Sequence, residues 1–282
     1  MKRIVSIQDF SCIGKCSQSI ALPVLSAMGL ECAALPTVLL SAHTAFDGFV
    51  SRELTDSLVP ITDHWRSMGV RFDAIYTGYL GSEEQISQVE QIFSDFGTNN
   101  NLFFVDPVMA DHGKLYPGFA PEFPERMKEL CRHADVITPN VTEACLLTGE
   151  AYRQRHEESF VRQLLEKLLS LGAKTAIVTG LRMDETHMGV AAMDKNGKLC
   201  LHNTAYIPSV FYGTGDLFAS TCAGALTLGL PASEAIALAA DYVVKTIRVT
   251  AKDPESRWYG VNFEQTLPYL MKRLVEIEEK QI

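Results

Sequence analysis

Apolar runs of strand length, each followed by a longer segment of helical periodicity, constrain this chain more than any other feature. The strand candidates are Arg3–Ile7, Ala33–Leu40, Ala74–Gly78, Leu102–Asp106, Val136–Thr138 and Lys174–Thr179. Several are continuous rather than alternating, as expected of parallel strands buried on both faces. Helical periodicity covers Ser17–Met28, Ser82–Phe96, Glu122–Arg132, Thr142–Thr148, Glu158–Leu171, Asp216–Leu228, Ala232–Ala251 and Phe263–Lys280. In one of these, Phe160, Leu164, Leu165, Leu168 and Leu171 fall on a single helical face. The β-then-α order predicts a mostly parallel sheet covered by helices. Two later runs break the rhythm: His187–Met193 and Lys198–Tyr206 flank Asp194-Lys195-Asn196-Gly197. Asn-Gly between strand-like runs predicts an antiparallel hairpin in the C-terminal half. Gly97-Thr98-Asn99-Asn100-Asn101 is a polar turn too short to link domains. No proline-rich linker or internal repeat divides the 282 residues, so the expectation is one α/β domain over 1–282.

Hydrophobic residues make up 47% of the chain, enough for a sizeable core. No apolar stretch reaches the roughly 18 residues that span a bilayer. Met1-Lys2-Arg3-Ile4-Val5-Ser6-Ile7 runs into Gln8 and Asp9 and reads as a first strand, not a secretory signal. The seven cysteines are odd in number and scattered, with no CxxC pair, and suit reduced thiols in the cytoplasm. Net charge is −9, which disfavours nucleic acid as a partner. The same charge repels ATP at long range. A nucleotide site would therefore need local attraction from backbone N–H groups, a helix N-terminus or Mg²⁺.

Nucleotide signatures narrow the chemistry. GxxxxGK[ST] is absent, and in the Gly213/Gly215 run Phe218 stands where GxGxxG needs its third glycine. What remains is Phe211-Tyr212-Gly213-Thr214-Gly215-Asp216-Leu217-Phe218-Ala219, opening a helical segment. Two glycines permit a tight turn and close approach to a ligand. The N–H groups of Gly213, Thr214 and Gly215 would converge near a helix N-terminus, where negative charge is stabilised. Asp216 there is either a first-turn capping carboxylate or a base beside an anion hole, an arrangement suited to phosphoryl transfer.

Gly-Thr-Gly-Asp at the start of a late helix resembles the signature of the ribokinase superfamily, and within it the chain resembles the pyridoxal kinases. Matching segments follow in order: Ser41-Ala42-His43-Thr44, Thr77-Gly78-Tyr79, Asp106-Pro107-Val108-Met109, Thr138-Pro139-Asn140 with Glu143, Val178-Thr179-Gly180 and Gly213-Thr214-Gly215-Asp216-Leu217-Phe218. The resemblance implies a three-layer α/β/α fold with a mostly parallel central sheet. It implies that Asp216 is the general base and that Gly213, Thr214 and Gly215 form the anion hole. Asn140 and Glu143 match an Asn-x-x-Glu element that organises Mg²⁺ and phosphates through water. Asp106, at a strand's C-terminal end, would help hold metal and phosphates, and Thr179 would contact the ATP phosphates. Ala110-Asp111-His112-Gly113-Lys114-Leu115-Tyr116 matches the loop that covers the site in relatives. On the substrate side, Thr44 would hydrogen-bond a pyridine ring, His43 and Tyr79 would line its pocket, and Val38, Phe46 and Tyr79 could give it an apolar face. Gly14-Lys15 is a poor phosphate motif and is given no role.

One position departs from the pattern. Many pyridoxal kinases carry Ser after Ile-Gln at the end of the first strand, and here Ile7-Gln8 leads into Asp9. Asp9 could accept a hydrogen bond from a protonated pyridine nitrogen or ring hydroxyl, or it could signal a pyrimidine. The reaction implied is ATP plus pyridoxal giving pyridoxal 5′-phosphate and ADP, with pyridoxine and pyridoxamine as further substrates. ATP and Mg²⁺ are the implied cofactors, dependence on a monovalent cation is left open, and a homodimer is expected by resemblance alone. The alternatives are a hydroxymethylpyrimidine kinase, which Asp9 favours and Asp216 with Thr44 opposes, a non-catalytic binder of a B6 vitamer, and a sugar kinase.

Overall fold

The structure is a computed structural model that describes residues 1–208 and 211–281, apart from the side chains of residues 278, 280 and 281. In chain order its elements are β1 (Arg3–Ser11), α1 (Gln18–Ala27), β2 (Glu31–Leu40), β3 (Ser51–Glu53), α2 (Thr55–Ser67), β4 (Ala74–Thr77), α3 (Glu83–Phe96) and β5 (Leu102–Val105). A small hairpin follows, β6 (Ala110–Asp111) and β7 (Lys114–Leu115), then α4 (Phe123–Arg132), β8 (Val136–Ile137), α5 (Val141–Thr148) and α6 (Glu158–Leu169). The chain continues through β9 (Thr175–Arg182), β10 (His187–Asp194), β11 (Leu199–Ala205), α7 (Thr214–Leu228), α8 (Ala232–Thr250) and α9 (Leu267–Gln281).

Nine strands form one sheet in the order β11-β10-β9-β8-β5-β4-β1-β2-β3. The stretch from β2 to β9 is parallel throughout. β10 and β11 add the expected antiparallel hairpin, closed where the Gly197 amide donates to the Asp194 carbonyl at 2.9 Å. Alternate residues of β1 feed two cores: Ile4 packs on the face covered by α1, α7, α8 and α9, while Val5 and Ile7 pack on the face covered by α2 to α6. The result is the three-layer α/β/α architecture. After β1 the chain moves to β2 on one side and then crosses to β4 on the other. That reversal opens a crevice at the C-terminal ends of β1 and β4, where ligands bind in open α/β sheets. At the mouth of this crevice β2 gains a residue against β1 between Gln8 and Phe10, a bulge that falls beside Asp9.

Three elements go beyond the sequence pattern. α2 carries Pro60 in its interior and buries only Leu58 and Thr62. β3 is a three-residue exposed strand that pairs antiparallel with β2 at the far edge of the sheet. The segment expected as a covering loop is partly ordered as β6 and β7, with His112 (φ 50°) and Gly113 (φ 77°) making its turn.

Candidate active site

The crevice is dominated by the N-terminus of α7. Gly213 precedes it in the left-handed region (φ 80°), and a Cβ there would sit 2.0 Å from the Lys15 carbonyl oxygen. Only glycine fits both the conformation and the space. Lys15 is itself pinned, its Nζ reaching Asn262 Oδ1 at 3.2 Å and Glu264 Oε2 at 2.9 Å. The residue given no role from sequence thus fixes the turn on which α7 starts. The first-turn amides of Thr214, Gly215 and Asp216 have no partner within the helix. They point out along the positive end of its dipole. A Cβ on Gly215 would meet nothing within 4 Å, so its face toward the crevice is open.

Asp216 lies in this first turn, half-buried. Burial pushes its carboxyl above the usual carboxylate range, and hydrogen bonds from the Ser17 N–H and its own amide partly offset that. Three further carboxylates share the crevice. Asp9 is 5% exposed, and burial raises it to about 7. The Ser17 hydroxyl hydrogen-bonds to Asp9 and lowers it, while the negative charge of Asp216 raises it. Asp106, just past β5, is raised well above its ordinary value by burial and by the charges of Glu143 and Asp216. Glu143 is 2% exposed and raised to about 8 by burial, against three backbone N–H donors.

Asn140 and Glu143 form a capping box on α5. Asn140 Oδ1 accepts from the amides of Thr142 (2.8 Å) and Glu143 (3.0 Å), and Glu143 Oε2 accepts from the Asn140 amide (2.9 Å). The same pair anchors the β6–β7 hairpin. Glu143 Oε1 accepts from Met109 (3.0 Å) and Ala110 (3.3 Å), and Asn140 Nδ2 donates to the Ala110 carbonyl (2.7 Å). With both Glu143 oxygens held by backbone donors, any metal contact from it would run through water. Thr179 lies alongside, bridged to Asn140 through the backbone. Tyr116, just after β7, hangs over the group. Burial and the charges of Glu143, Asp111, Asp216 and Asp106, in that order, push its phenol up.

The other end of the crevice is aromatic. Tyr79 follows β4, half-buried, its phenol pushed up by burial and by the charge of Asp9. Its ring lies 5.6 Å from that of Phe119. His43 packs 4.7 Å from Tyr212, at the approach to Gly213. Its Nδ1 accepts from the Ala45 amide at 3.0 Å, which leaves Nε2 to carry the proton, and burial holds its pKa down. Thr44 is exposed in the same turn. Phe46 packs not on Tyr79 but on Trp258 (4.6 Å) and Tyr259 (5.3 Å). Ser17, Tyr116, Tyr212 and Trp258 are neighbours of the site that sequence reasoning did not single out. Tyr116 closes the matched covering loop and Tyr212 lies within the Phe211–Ala219 run, though neither was given a role of its own. Nothing in the sequence marked Ser17.

The donors around Asp106 are oxygens, and the strongest charges acting on it are negative, which fits a hard divalent cation. Among the described residues no three His, Cys, Asp or Glu side chains come close enough to ligate one ion. A Mg²⁺ here would therefore keep most of its waters.

Residues 54–259 match the family model described as phosphomethylpyrimidine kinase. The chain is 31% identical over 266 residues to a pyridoxal kinase of Rubrobacter xylanophilus, covering 88% of each protein. Its fold is similar to that of a pyridoxal kinase from Lactobacillus plantarum, with a TM-score of 0.88 and 31% identity over 97% of this chain and 98% of that one. It is also similar to a Bacteroides thetaiotaomicron protein provisionally described as a phosphomethylpyrimidine kinase and crystallised with pyridoxal. There the TM-score is 0.91 and the identity 35%, with 95% of each chain covered. The fold is therefore that of the ribokinase-like kinases. The chain belongs to the pyridoxal kinase family, within the wider group that the phosphomethylpyrimidine kinase model describes.

Proposed function

We propose that this chain, working as one domain, transfers the γ-phosphoryl group of ATP to the 5′-hydroxyl of pyridoxal and of related B6 vitamers. The observation that carries the reading is the placement of Asp216. Its half-buried carboxylate, held by the Ser17 amide, stands in the first turn of a helix whose free N–H groups open onto the same crevice. Burial raises its affinity for a proton, as a general base requires. Asp216 takes the hydroxyl proton as the substrate oxygen forms a bond to the γ-phosphorus and the bond to the departing ADP oxygen breaks. The amides of Gly213, Thr214 and Gly215 stabilise the charge on the transferring group. Asp106, with Glu143 acting through water, would hold Mg²⁺, which would neutralise phosphate charge, and Thr179 would contact the phosphates. Tyr116 and the β6–β7 hairpin would exclude water from the site. At the ring end Asp9 would bind a pyridine nitrogen or hydroxyl, with His43, Thr44 and Tyr79 around it. The cytoplasm would be its compartment and a homodimer its assembly.

A second reading, phosphorylation of hydroxymethylpyrimidine, draws on the name of the matching family model and on the buried acid at Asp9. Coupled ADP release with ATP and Mg²⁺, run on pyridoxal, pyridoxine, pyridoxamine and hydroxymethylpyrimidine, separates the two by kcat/KM. In the same assay Asp216→Asn should lower turnover by roughly 10²–10⁴-fold, the range for a lost general base, while ATP binding persists. A variant with near wild-type turnover would remove Asp216 from the role of base.

A further inference from the structure

The tip of the β6–β7 hairpin is held from outside as much as by its own two short strands. Asp111, His112, Gly113 and Lys114 form it. Asp111 pairs with Lys114, and the His112 amide donates to Asp111 Oδ1 at 2.7 Å. Among the described residues a single hydrogen bond ties these four to another element: the Gly113 amide donates to Thr142 Oγ1 at 3.0 Å. Thr142 lies in the first turn of α5, 2% exposed, between Asn140 and Glu143. Those two neighbours hold the root of the hairpin at Met109 and Ala110, so one helix start grips root and tip together. The tip also meets Tyr152, in the loop between α5 and α6. Gly113 lies at φ 77°, and a Cβ on it would stand 3.0 Å from Tyr152 Cδ1, inside ordinary contact, so glycine is what lets the ring close on the turn. That loop is itself fixed to the sheet by His156, which is 3% exposed. His156 Nδ1 accepts from the Arg182 amide at 2.8 Å, which leaves Nε2 to donate to the Arg153 carbonyl at 2.8 Å, and the His156 amide donates to the Arg182 carbonyl at 3.0 Å.

We propose that Thr142 and Tyr152 are positioning residues that clasp the hairpin tip and set how often the crevice opens to water. The role rests on the functional reading above and deepens it. Asn140 and Glu143 serve the hairpin and, in that reading, the phosphates and metal as well, so changing either would disturb both. The Thr142 hydroxyl bonds to the tip and to no other described residue. Tyr116 follows β7, and its amide donates to the Met109 carbonyl at 2.9 Å, so a hairpin that lifts from the tip swings the Tyr116 phenol with it. Water can then take the place of the substrate hydroxyl: its oxygen bonds to the γ-phosphorus as the bond to the ADP oxygen breaks, and inorganic phosphate leaves. Loosening the clasp should raise that hydrolysis and leave transfer to pyridoxal close to normal.

The test compares Thr142→Val, Thr142→Ser, Tyr152→Ala and Tyr152→Phe with the wild type in two assays. The first is limited trypsin digestion without ligands, read by mass spectrometry as the rate of cutting at the Lys114–Leu115 bond. Thr142→Val keeps the shape and removes the acceptor. It should speed that cut about fivefold, the effect of one hydrogen bond on the population of the open tip, with cutting elsewhere unchanged. Thr142→Ser retains the acceptor and should be cut at the wild-type rate. Tyr152→Ala, at an exposed position where the fold is not at stake, should behave as Thr142→Val does, and Tyr152→Phe as the wild type, since the ring is what meets Gly113. The second assay is ADP release from ATP and Mg²⁺ with and without pyridoxal. Release without acceptor should rise in step with the cut, while kcat for pyridoxal stays within about twofold. Wild-type cutting in both Thr142→Val and Tyr152→Ala, faster cutting at all sites alike, or a faster cut with no rise in acceptor-free release would each overturn the proposal. If the wild-type protein ignores pyridoxal, the functional reading falls, and the trypsin rates and acceptor-free release still decide the clasp.

Discussion

Replacing Gly213 by alanine tests whether the close approach before α7 is a requirement of the site. The added Cβ would lie 2.0 Å from the Lys15 carbonyl oxygen and 2.7 Å from Ile20 Cδ1, where ordinary contact begins at 3.4 Å. Ile20 is a side chain and can rotate. The Lys15 carbonyl is backbone, and Lys15 is tethered through Nζ to Asn262 and Glu264. The gap of about 1.4 Å between 2.0 and 3.4 Å therefore has to be made up largely by moving the start of α7. Alanine also has to hold a φ of 80°. Strain of that kind together with overpacking costs roughly 2–4 kcal/mol, or about 4–10 °C in Tm for a domain of this size. A displacement of about 1 Å at the anion hole should lower kcat/KM by at least about 10²-fold. Gly215→Ala is the matched control for crowding. Nothing lies within 4 Å of its Cβ and it already sits in the helix, so Tm should hold or rise slightly, while a methyl on the open face weakens ATP binding. Both variants are read by thermal melts and by ADP release at varied ATP. A Gly213→Ala enzyme with wild-type Tm and kcat/KM would refute the claim that the Lys15 carbonyl fixes α7.

Two further perturbations bear on the acids and the cover. Asp9 titrates near 7 in the fold and near 3.8 when unfolded. Between those values the folded chain binds the extra proton, so this group's contribution to stability is present at low pH and is lost as pH rises toward 7, by up to about 1.4 kcal/mol per pH unit. The Tm of Asp9→Asn minus that of the wild type, measured without ligands, should therefore grow from pH 5 to pH 8, and a difference that is flat or shrinks would contradict a buried, destabilised carboxylate. Tyr116→Ala strips the phenol that hangs over Asp106, Glu143 and Asp216, and it should raise ADP release without acceptor relative to release with pyridoxal, because water gains entry. An unchanged ratio would show that the hairpin does not seal the site.

What could be read from the chain in advance was what neighbouring residues decide among themselves. The β4 and β5 runs are almost wholly apolar because both faces of the sheet are covered there, and that is written in their composition. Asn140 with Glu143 is a three-residue spacing that closes on itself as a capping box. Gly213 followed by a helix announces a left-handed residue before α7. By contrast, Lys15 acquires its meaning from Asn262 and Glu264, which lie far along the chain, and Ser17 from Asp216, on a different helix. Viewed locally, Lys15 is a charge in a glycine loop and Ser17 a routine helix cap. α2 was hidden for another reason: Pro60 stands in its interior, and only Leu58 and Thr62 are buried, so few residues mark its inner face. The four acids divide along the same line. The positions of Asp9, Asp106, Glu143 and Asp216 follow from strand ends and helix starts, but their raised proton affinities do not. Those arise chiefly because folding strips water from each carboxyl, with the charge of Asp216 adding to the rise at Asp9 and the charges of Glu143 and Asp216 adding to the rise at Asp106. A chain of net charge −9 that gathers four of its acids near the N-terminus of α7 is stable in that arrangement only if protons or bound cations share the crevice. A cation entering the crevice would lower the proton affinity of Asp216, and an anion would raise it.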